Sequence, residues 1–221
     1  MSTKRNMRAA SPCSFIAAQQ GHLAVVPYLV KELGAHVNNT GIGGPTPLLI
    51  AAQHGHLAVV RCLVKELGAN VNHATNDGAT PLFFAAQTGN KEMVVCLVEE
   101  CGADLNQATK FGATPLMIAS GEKHEKIVRY LLKKGAKSQA SHEEFGTAAD
   151  VSRFRGGSKE QTTYLEARTH CAKPGCGGAG LKKCAGCLQV YFCSRDCQVA
   201  HWPVHKADCK RRVEVKADKE K

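Results

Sequence analysis

The sequence is poor in aromatic residues, which make up 5% of its 221 residues and include a single tryptophan. The core must therefore be aliphatic and rich in alanine, which suits thin helical layers better than a β-sandwich. No apolar run approaches the roughly 20 residues that a membrane span requires, and the stretch Met1–Arg8 contains no apolar signal segment. We therefore expect a soluble intracellular protein, cytoplasmic and/or nuclear.

Signature motifs of common enzyme classes are also missing. The sequence has no G-x-x-x-x-G-K-[ST] loop and no H-E-x-x-H or G-x-S-x-G motif. Four scattered cysteines have no neighbouring base to activate them, so we expect small buried hydrophobes. They are Cys13, Cys62, Cys96 and Cys101. We predict a protein that is not an enzyme.

Cysteine is concentrated near the C terminus instead, where seven of the 11 cysteines lie between positions 171 and 209. Thiolate and imidazole are ligands that Zn²⁺ prefers, and a closed structural site takes four of them. Seven cysteines and one histidine would fill two such sites and leave no position for water or substrate. A disulfide framework would need an oxidising compartment, and an Fe–S cluster would leave the histidine unused. The candidate donors are Cys171, Cys176, Cys184, Cys187, Cys193, Cys197, His201, His205 and Cys209.

The run YFCSRDCQVAHWPVHKADC, from Tyr191 to Cys209, resembles the MYND zinc finger. The resemblance implies two structural zinc ions in a cross-braced arrangement. One ion would be held by Cys171, Cys176, Cys193 and Cys197, and the other by Cys184, Cys187, His205 and Cys209. The first pair is C-x4-C here, where the family usually has C-x2-C, so Cys171 is the least regular ligand. His201 falls outside the family pattern, and its exchange with His205 is the alternative.

The same resemblance implies a peptide-binding groove. Members of the MYND family bind short proline-rich peptides beside the zinc-braced helix, and Gln198 and Trp202 match the contacting positions. An exposed indole face is a suitable platform for the stiff polyproline II helix. The alternative is that Trp202 packs in the small core of the finger.

The rest of the chain repeats itself every 34 residues. Thr-Pro-Leu recurs at Thr46, Thr80 and Thr114, and a glycine recurs at each inter-unit turn. Such a period is typical of stacked-repeat architectures. Within a unit, Thr-Pro opens a first helix, a glycine turns the chain, and a second amphipathic helix follows. His22, His56 and His124 recur just after that glycine position, so we assign them a structural role.

This pattern resembles ankyrin repeats. Units 1 to 4 are residues 11–44, 45–78, 79–112 and 113–146, and 147–168 form a shortened capping unit. The usual ankyrin period is 33, and we expect the extra residue in the second helix. Unit 1 lacks Thr-Pro-Leu, and unit 4 has Lys123 where the turn glycine belongs, so both are expected to be atypical and frayed. The fold class is therefore mostly α, with an ankyrin solenoid at 11–168, a small cross-braced zinc domain at 171–209 and a charged tail at 210–221.

We interpret the protein as an adaptor with two protein-binding modules. Ankyrin arrays bind proteins on a concave surface of helices and turn tips, and the candidate contacts here are Asn76, Asp77, Lys110 and Phe111. A packing role is the alternative for Phe111, and a rigid spacer is the alternative for the array. The rival function is a nucleic-acid-associated regulator, suggested by a net charge of +10 and a zinc finger. Two zinc ions on seven thiolates would lower the charge of residues 169–221 from +6 to about +3, which weakens that rival. A third possibility is a peptide-binding piece of a complex whose catalysis lies in another chain.

Overall fold

The computed structural model describes residues 12–138, 140–142, 146–169, 182–183 and 191–192. These residues are mostly helical, as predicted, and the helices follow one another in pairs joined by tight turns. The elements are α1 (12–20), α2 (Val25–Lys31), α3 (Pro47–His54), α4 (Leu57–Arg61), α5 (Pro81–Gln87), α6 (Lys91–Val95), α7 (Pro115–Gly121), α8 (Glu125–Lys133), β1 (Ser141–His142), β2 (Gly146–Thr147), α9 (Ala148–Phe154), α10 (Lys159–Thr169), β3 (Lys182–Lys183) and β4 (Tyr191–Phe192).

The first helix of units 2, 3 and 4 begins at the Thr-Pro pair. The hydroxyl oxygens of Thr46, Thr80 and Thr114 each accept a hydrogen bond from the backbone N–H three residues later, at 3.2–3.3 Å. The proline occupies the first turn, where a backbone N–H has no helical partner to lose. The predicted capping of these helices is confirmed.

The second helix of units 2 and 3 contains a π-helical turn. Helix α4 continues into the π-helix Cys62–Glu66, and α6 continues into Cys96–Glu100. A π-turn closes over one more residue than an α-turn. Unit 4 is an internal control, because Gly135 comes one residue earlier than the 34-residue step from Gly102 requires, and α8 is α-helical throughout. The structure therefore supports placing the extra residue in the second helix.

A continuous apolar core runs through the four units and the helix pair α9–α10. It is aliphatic and alanine-rich, with pairs of alanines on the first helices and leucines between them. Each fully buried leucine contributes about 1.5–3 kcal/mol. The members that best mark its path are Leu29, Leu48, Leu63, Leu82, Leu97, Leu116, Leu131 and Leu165. Leu49 and Met117, at the position after Thr-Pro-Leu, are also buried.

The turn between the two helices of each unit needs a residue with positive φ. Gly21, Gly55 and Gly89 have φ of 73°, 82° and 76°, and Lys123 takes the same place with φ of 63°. The expectation that unit 4 frays at Lys123 is wrong, because α7 and α8 are both formed around this turn. Lysine at this turn position adopts the conformation that glycine adopts in the other units.

Two short antiparallel strand pairs complete the described elements. Strand β1 pairs with β2, and β3 pairs with β4 in the register Lys182 to Phe192 and Lys183 to Tyr191. The pair β3–β4 lies inside the predicted finger. All candidate zinc ligands, together with His201, Gln198, Trp202 and the tail at 210–221, lie outside the described residues.

Candidate protein-binding surface

The loop between successive units is a tight turn closed by a threonine. Thr75 N–H donates to the Ala79 carbonyl at 2.9 Å, and the Thr75 hydroxyl accepts from Ala79 N–H at 3.1 Å. Thr109 and Ala113 repeat both bonds, at 2.9 and 3.1 Å. These bonds hold residues 76–77 and 110–111 at the tips of their turns.

Neighbouring tips are hydrogen-bonded to each other in a row. Asn76 N–H donates to the Gly43 carbonyl at 3.0 Å, and Lys110 N–H donates to the Asp77 carbonyl at 2.8 Å. Such close approach needs glycine beside the tip, since a Cβ on Gly44 would lie 2.7 Å from the Asn76 nitrogen. Backbone groups of the tips are thus hydrogen-bonded to neighbouring units.

The tip side chains remain available. Asn76, Asp77, Lys110 and Phe111 are all exposed, and Phe111 exposes 64% of its surface. The packing alternative for Phe111 is therefore not what the structure shows. Sequence reasoning missed Ile42, which is fully exposed and lies one 34-residue step before Asn76, so the repeat register alone would have found it.

A second row of bonds is made by asparagine side chains. The side-chain oxygens of Asn38, Asn72 and Asn106 accept from a backbone N–H of the following unit at 2.8–2.9 Å. The donors are Asn70, Asp104 and Lys137. The recurrence at 34 residues was visible in the sequence. These asparagines join units to each other.

Two of the three recurring histidines, His56 and His124, have the structural role that we predicted. The Nε2–H of His56 donates to the Gln19 carbonyl at 2.7 Å, and that of His124 donates to the Gln87 carbonyl at 3.0 Å. Each ring also lies over the turn glycine of the preceding unit, because a Cβ on Gly21 or Gly89 would come within 2.5 Å of it. Both imidazoles are used to join units.

The scattered cysteines are only partly as predicted. Cys62 and Cys96 are buried, and burial raises the pKa of both thiols. Burial is also the main cause that raises the pKa of Cys101 to about 11, so these thiols are protonated at neutral pH and are poor nucleophiles. Cys13 is exposed, and its predicted burial is wrong, because among the described residues no unit lies in front of unit 1.

Charged side chains join the second helices of successive units. The Glu100 carboxylate contacts Arg61 at 2.7 Å and Lys65 at 2.8 Å, and these hydrogen bonds lower the pKa of Glu100 to about 2. Glu99 contacts Lys134 at 2.9 Å and accepts from the Tyr130 hydroxyl at 3.0 Å. Bonds from these two partners lower the pKa of Glu99. The contacts are solvent-exposed, so they define register more than they stabilise the array.

Helices α9 and α10 close the array through a buried polar cluster. The side-chain amide of Gln161 donates to the Ser120 carbonyl at 2.9 Å and to the Ser152 hydroxyl at 3.0 Å. The guanidinium of Arg129 lies 4.7 Å from the ring centre of Tyr164. The helix that is held in this way, α10, ends at Thr169, two positions before Cys171.

The described part of the chain holds no group of three or more His, Cys, Asp or Glu side chains arranged to bind a metal ion. Its helices are all too short or too polar to cross a bilayer.

Comparison with known proteins agrees with this architecture. The family model described as ankyrin repeats in three copies matches residues 14–109 and 67–142, and the MYND finger model matches residues 169–209. Ankyrin and MYND domains mediate binding to other proteins, and the MYND finger is a zinc-binding domain.

Curated relatives share only a short stretch with this chain. A SET and MYND domain-containing protein of Dictyostelium discoideum is 52% identical over 33 residues, 15% of this chain and 6% of the relative. The zinc finger MYND domain-containing protein 10 homolog of Drosophila melanogaster is 53% identical over 34 residues, 15% of this chain and 8% of the relative.

The N-lysine methyltransferase SMYD2 of Homo sapiens is 37% identical over 51 residues, which are 23% of this chain and 12% of the relative. The methyltransferases match in the MYND region alone, and the chain spans about a tenth or less of the length of these relatives. Because the ankyrin match covers more than half of the sequence, this chain belongs to the ankyrin-repeat proteins and carries a MYND zinc finger on the C-terminal side of its repeats.

Proposed function

We propose that this protein is a non-enzymatic adaptor that joins two protein ligands. Its ankyrin surface binds one protein partner, and its finger binds a proline-rich peptide. The observation that carries the proposal is the row of exposed tip side chains, backed by unit-to-unit hydrogen bonds, on a chain that also carries a MYND finger. We further propose that it acts in the cytoplasm, the nucleus or both, with modules at 11–168 and 171–209 and a charged tail at 210–221.

The ankyrin half of the proposal rests on how the tips are built. The backbone of residues 76–77 and 110–111 is fixed by neighbouring units, so a ligand meets side chains whose positions are set in advance. Pre-ordering of this kind lowers the entropy lost on binding. An exposed phenyl group beside a lysine, as at Phe111 and Lys110, suits a partner surface that combines apolar and acidic groups.

In the zinc half we propose two structural ions. Cys171, Cys176, Cys193 and Cys197 would hold one, and Cys184, Cys187, His205 and Cys209 would hold the other. The donor set fits zinc, since thiolate and imidazole fill a closed tetrahedral site. The β3–β4 pairing supports assigning Cys184 and Cys187 to a different ion from Cys193. Cys184 and Cys187 belong to the connection between the strands, whereas Cys193 follows β4. Bound zinc would brace the finger and supply no open position for a substrate.

The test of the finger uses Trp202, the only tryptophan in the chain. Zinc-loaded protein is titrated with a Pro-x-Leu-x-Pro peptide while tryptophan fluorescence is followed, with a chelated sample as control. We expect a saturable, zinc-dependent shift that Gln198→Ala weakens, and loss of binding in Trp202→Ala with zinc retained. No response to several proline-rich peptides, or loss of zinc in Trp202→Ala, would contradict the groove. Binding to duplex DNA that falls steeply with salt would favour the nucleic-acid function instead.

The test of the ankyrin surface uses the tip side chains. The double variant Lys110→Ala and Phe111→Ala is compared with the wild type for capture of partner proteins from a cell extract. The control is Phe154→Ala, which removes another exposed phenyl group. Loss of the same captured proteins in the tip variant alone supports the surface, and unchanged capture removes these residues from it.

A further inference from the structure

The end face of unit 1 exposes side chains whose equivalents are buried in the later units. Val25 is 42% exposed, although Val59, Met93 and Ile127, at successive 34-residue steps, are all 1% exposed or less. Tyr28 is 56% exposed, whereas Cys62 and Cys96 are buried at the same position. Exposed apolar groups that cluster on one face mark an interaction surface.

Cys13 follows the same rule. It is exposed, while Pro47, Pro81 and Pro115, at the equivalent position of units 2, 3 and 4, are buried. Units 2, 3 and 4 each pack on the preceding unit through one face. The exposure of Cys13, Val25 and Tyr28 shows that the same face of unit 1 is uncovered.

The hydrogen-bonding groups of this face are donors. At the junction of units 1 and 2, the later unit donates from His56 Nε2, Asn70 N–H and Asn76 N–H. The equivalent donors of unit 1 are the imidazole of His22 and the N–H groups of His36 and Ile42. None of the three has an acceptor within the part of the chain that the structure describes. These donors are exposed, so the face suits a partner surface that offers carbonyl-type acceptors.

The charge of Glu32 further restricts which partner surfaces fit this face. In unit 3, Glu100 is held by Arg61 and Lys65 of the unit before it, and the equivalent residue of unit 1 is the exposed Glu32. Two copies of this chain packed face to face would bring together two faces that both present donors and both carry the acidic Glu32. A second copy is therefore a poor occupant, and a basic surface with exposed carbonyl groups is a good one.

We propose that the face formed by Cys13, Val25, Tyr28 and Glu32 docks the exposed last unit of an ankyrin-type array in another protein. Such a unit carries, at its trailing side, acceptors like the side-chain oxygens of Asn38, Asn72 and Asn106, and basic side chains like those that unit 2 offers to Glu100. The face belongs to unit 1 and does not include the tip residues Lys110 and Phe111, so the proposal is independent of the proposed adaptor function.

The test uses the full chain and a defined probe. The probe is an array of three copies of residues 45–78 without a cap, so that its last copy offers Arg61, Lys65 and the Asn72 side chain. Val59→Lys and Cys62→Lys in its first copy prevent the probe from stacking on itself. Binding is measured by titration calorimetry, and the size of the complex by analytical ultracentrifugation.

We expect a one-to-one complex that Tyr28→Lys or Glu32→Lys weakens by about tenfold or more. Phe154→Lys is the matched control, since it alters another exposed aromatic residue, in α9, and should bind as the wild type does. Circular dichroism verifies that each variant is folded. Absence of a complex, or a complex that Tyr28→Lys leaves unchanged, overturns the proposal. Self-association of the chain alone that Tyr28→Lys abolishes would also overturn it and would make a second copy the occupant.

Discussion

At the scale of single residues, the side chain that the next unit places over the turn between two helices determines whether that turn position can hold a residue with a Cβ. Gly21 and Gly89 are covered by the rings of His56 and His124, so a Cβ would clash at 2.5 Å. The residue one step after His124 is Ser158, whose small side chain leaves room for Lys123. Lysine is thus sterically permitted there, yet it still adopts a left-handed conformation that costs about 1–2 kcal/mol for a residue with a Cβ.

Lys123→Gly is therefore expected to stabilise the protein. Glycine removes the left-handed strain but loses more backbone entropy on folding, so the net gain in the free energy of unfolding should be about 1 kcal/mol. Urea unfolding followed by circular dichroism measures it. The matched variant Gly89→Lys should destabilise strongly, because the His124 ring occupies the space. A lower midpoint for Lys123→Gly would show that the lysine side chain itself supports the turn.

At the scale of elements, α10 is the helix that ends the solenoid. Leu165 is fully buried, Arg129 stacks on Tyr164, and Gln161 reaches both α7 and α9. Gln161 is 2% exposed, and its side-chain oxygen has no hydrogen-bond partner in the described structure. The helix is therefore held by a polar cluster that is sensitive to any change at Gln161.

Gln161→Ala should lower the free energy of unfolding by about 1–3 kcal/mol, because the buried Ser120 carbonyl and Ser152 hydroxyl lose a donor. Thr163→Ala on the exposed side of the same helix is the control and should stay within about 0.5 kcal/mol of the wild type. Chemical denaturation of the full-length variants measures both. Equal effects of the two substitutions would show that the buried amide does not hold the cap.

At the scale of the whole molecule, the core described here is built from the four ankyrin units and the α9–α10 pair, and the finger brings its own ligands. The core residues all lie between Ala17 and Leu165, before the first candidate ligand. Each ankyrin unit rests on its neighbours, whereas a segment as short as the finger needs metal to fold.

Zinc removal should therefore affect the finger and spare the array. We expect a strong chelator to release two zinc ions per chain, while the helical signal and a cooperative urea transition remain. His205→Ala should lower the zinc content, whereas His201→Ala should leave it at two. Release of one ion, or loss of the helical signal with the metal, would contradict this division.

Much of the array was predictable, because its determinants are local or periodic. The Thr-Pro caps depend on residues adjacent in sequence, and the extra residue in the second helix was inferred from the length of the repeat. Two predictions were wrong. Cys13 was predicted to be buried and is exposed, and unit 4 was predicted to fray at Lys123, where the turn is intact. Each depends on which side chain, if any, the adjacent unit places against it, and a single unit's sequence does not contain that information.

The sequence by itself determined the repeat, the helix starts and the glycine turns within the units, because each follows from the chemistry of neighbouring residues or from a fixed spacing. The zinc ligands of the finger stay a prediction. Only the tertiary structure decided which residues at equivalent positions of successive units are buried against a neighbouring unit and which are exposed. Stacking hides Val59, Met93 and Ile127 and leaves Val25 open, since burial depends on what lies on the other side of a residue. The exposed tips and the open end face, the two surfaces on which this protein's interactions are proposed, are both consequences of stacking.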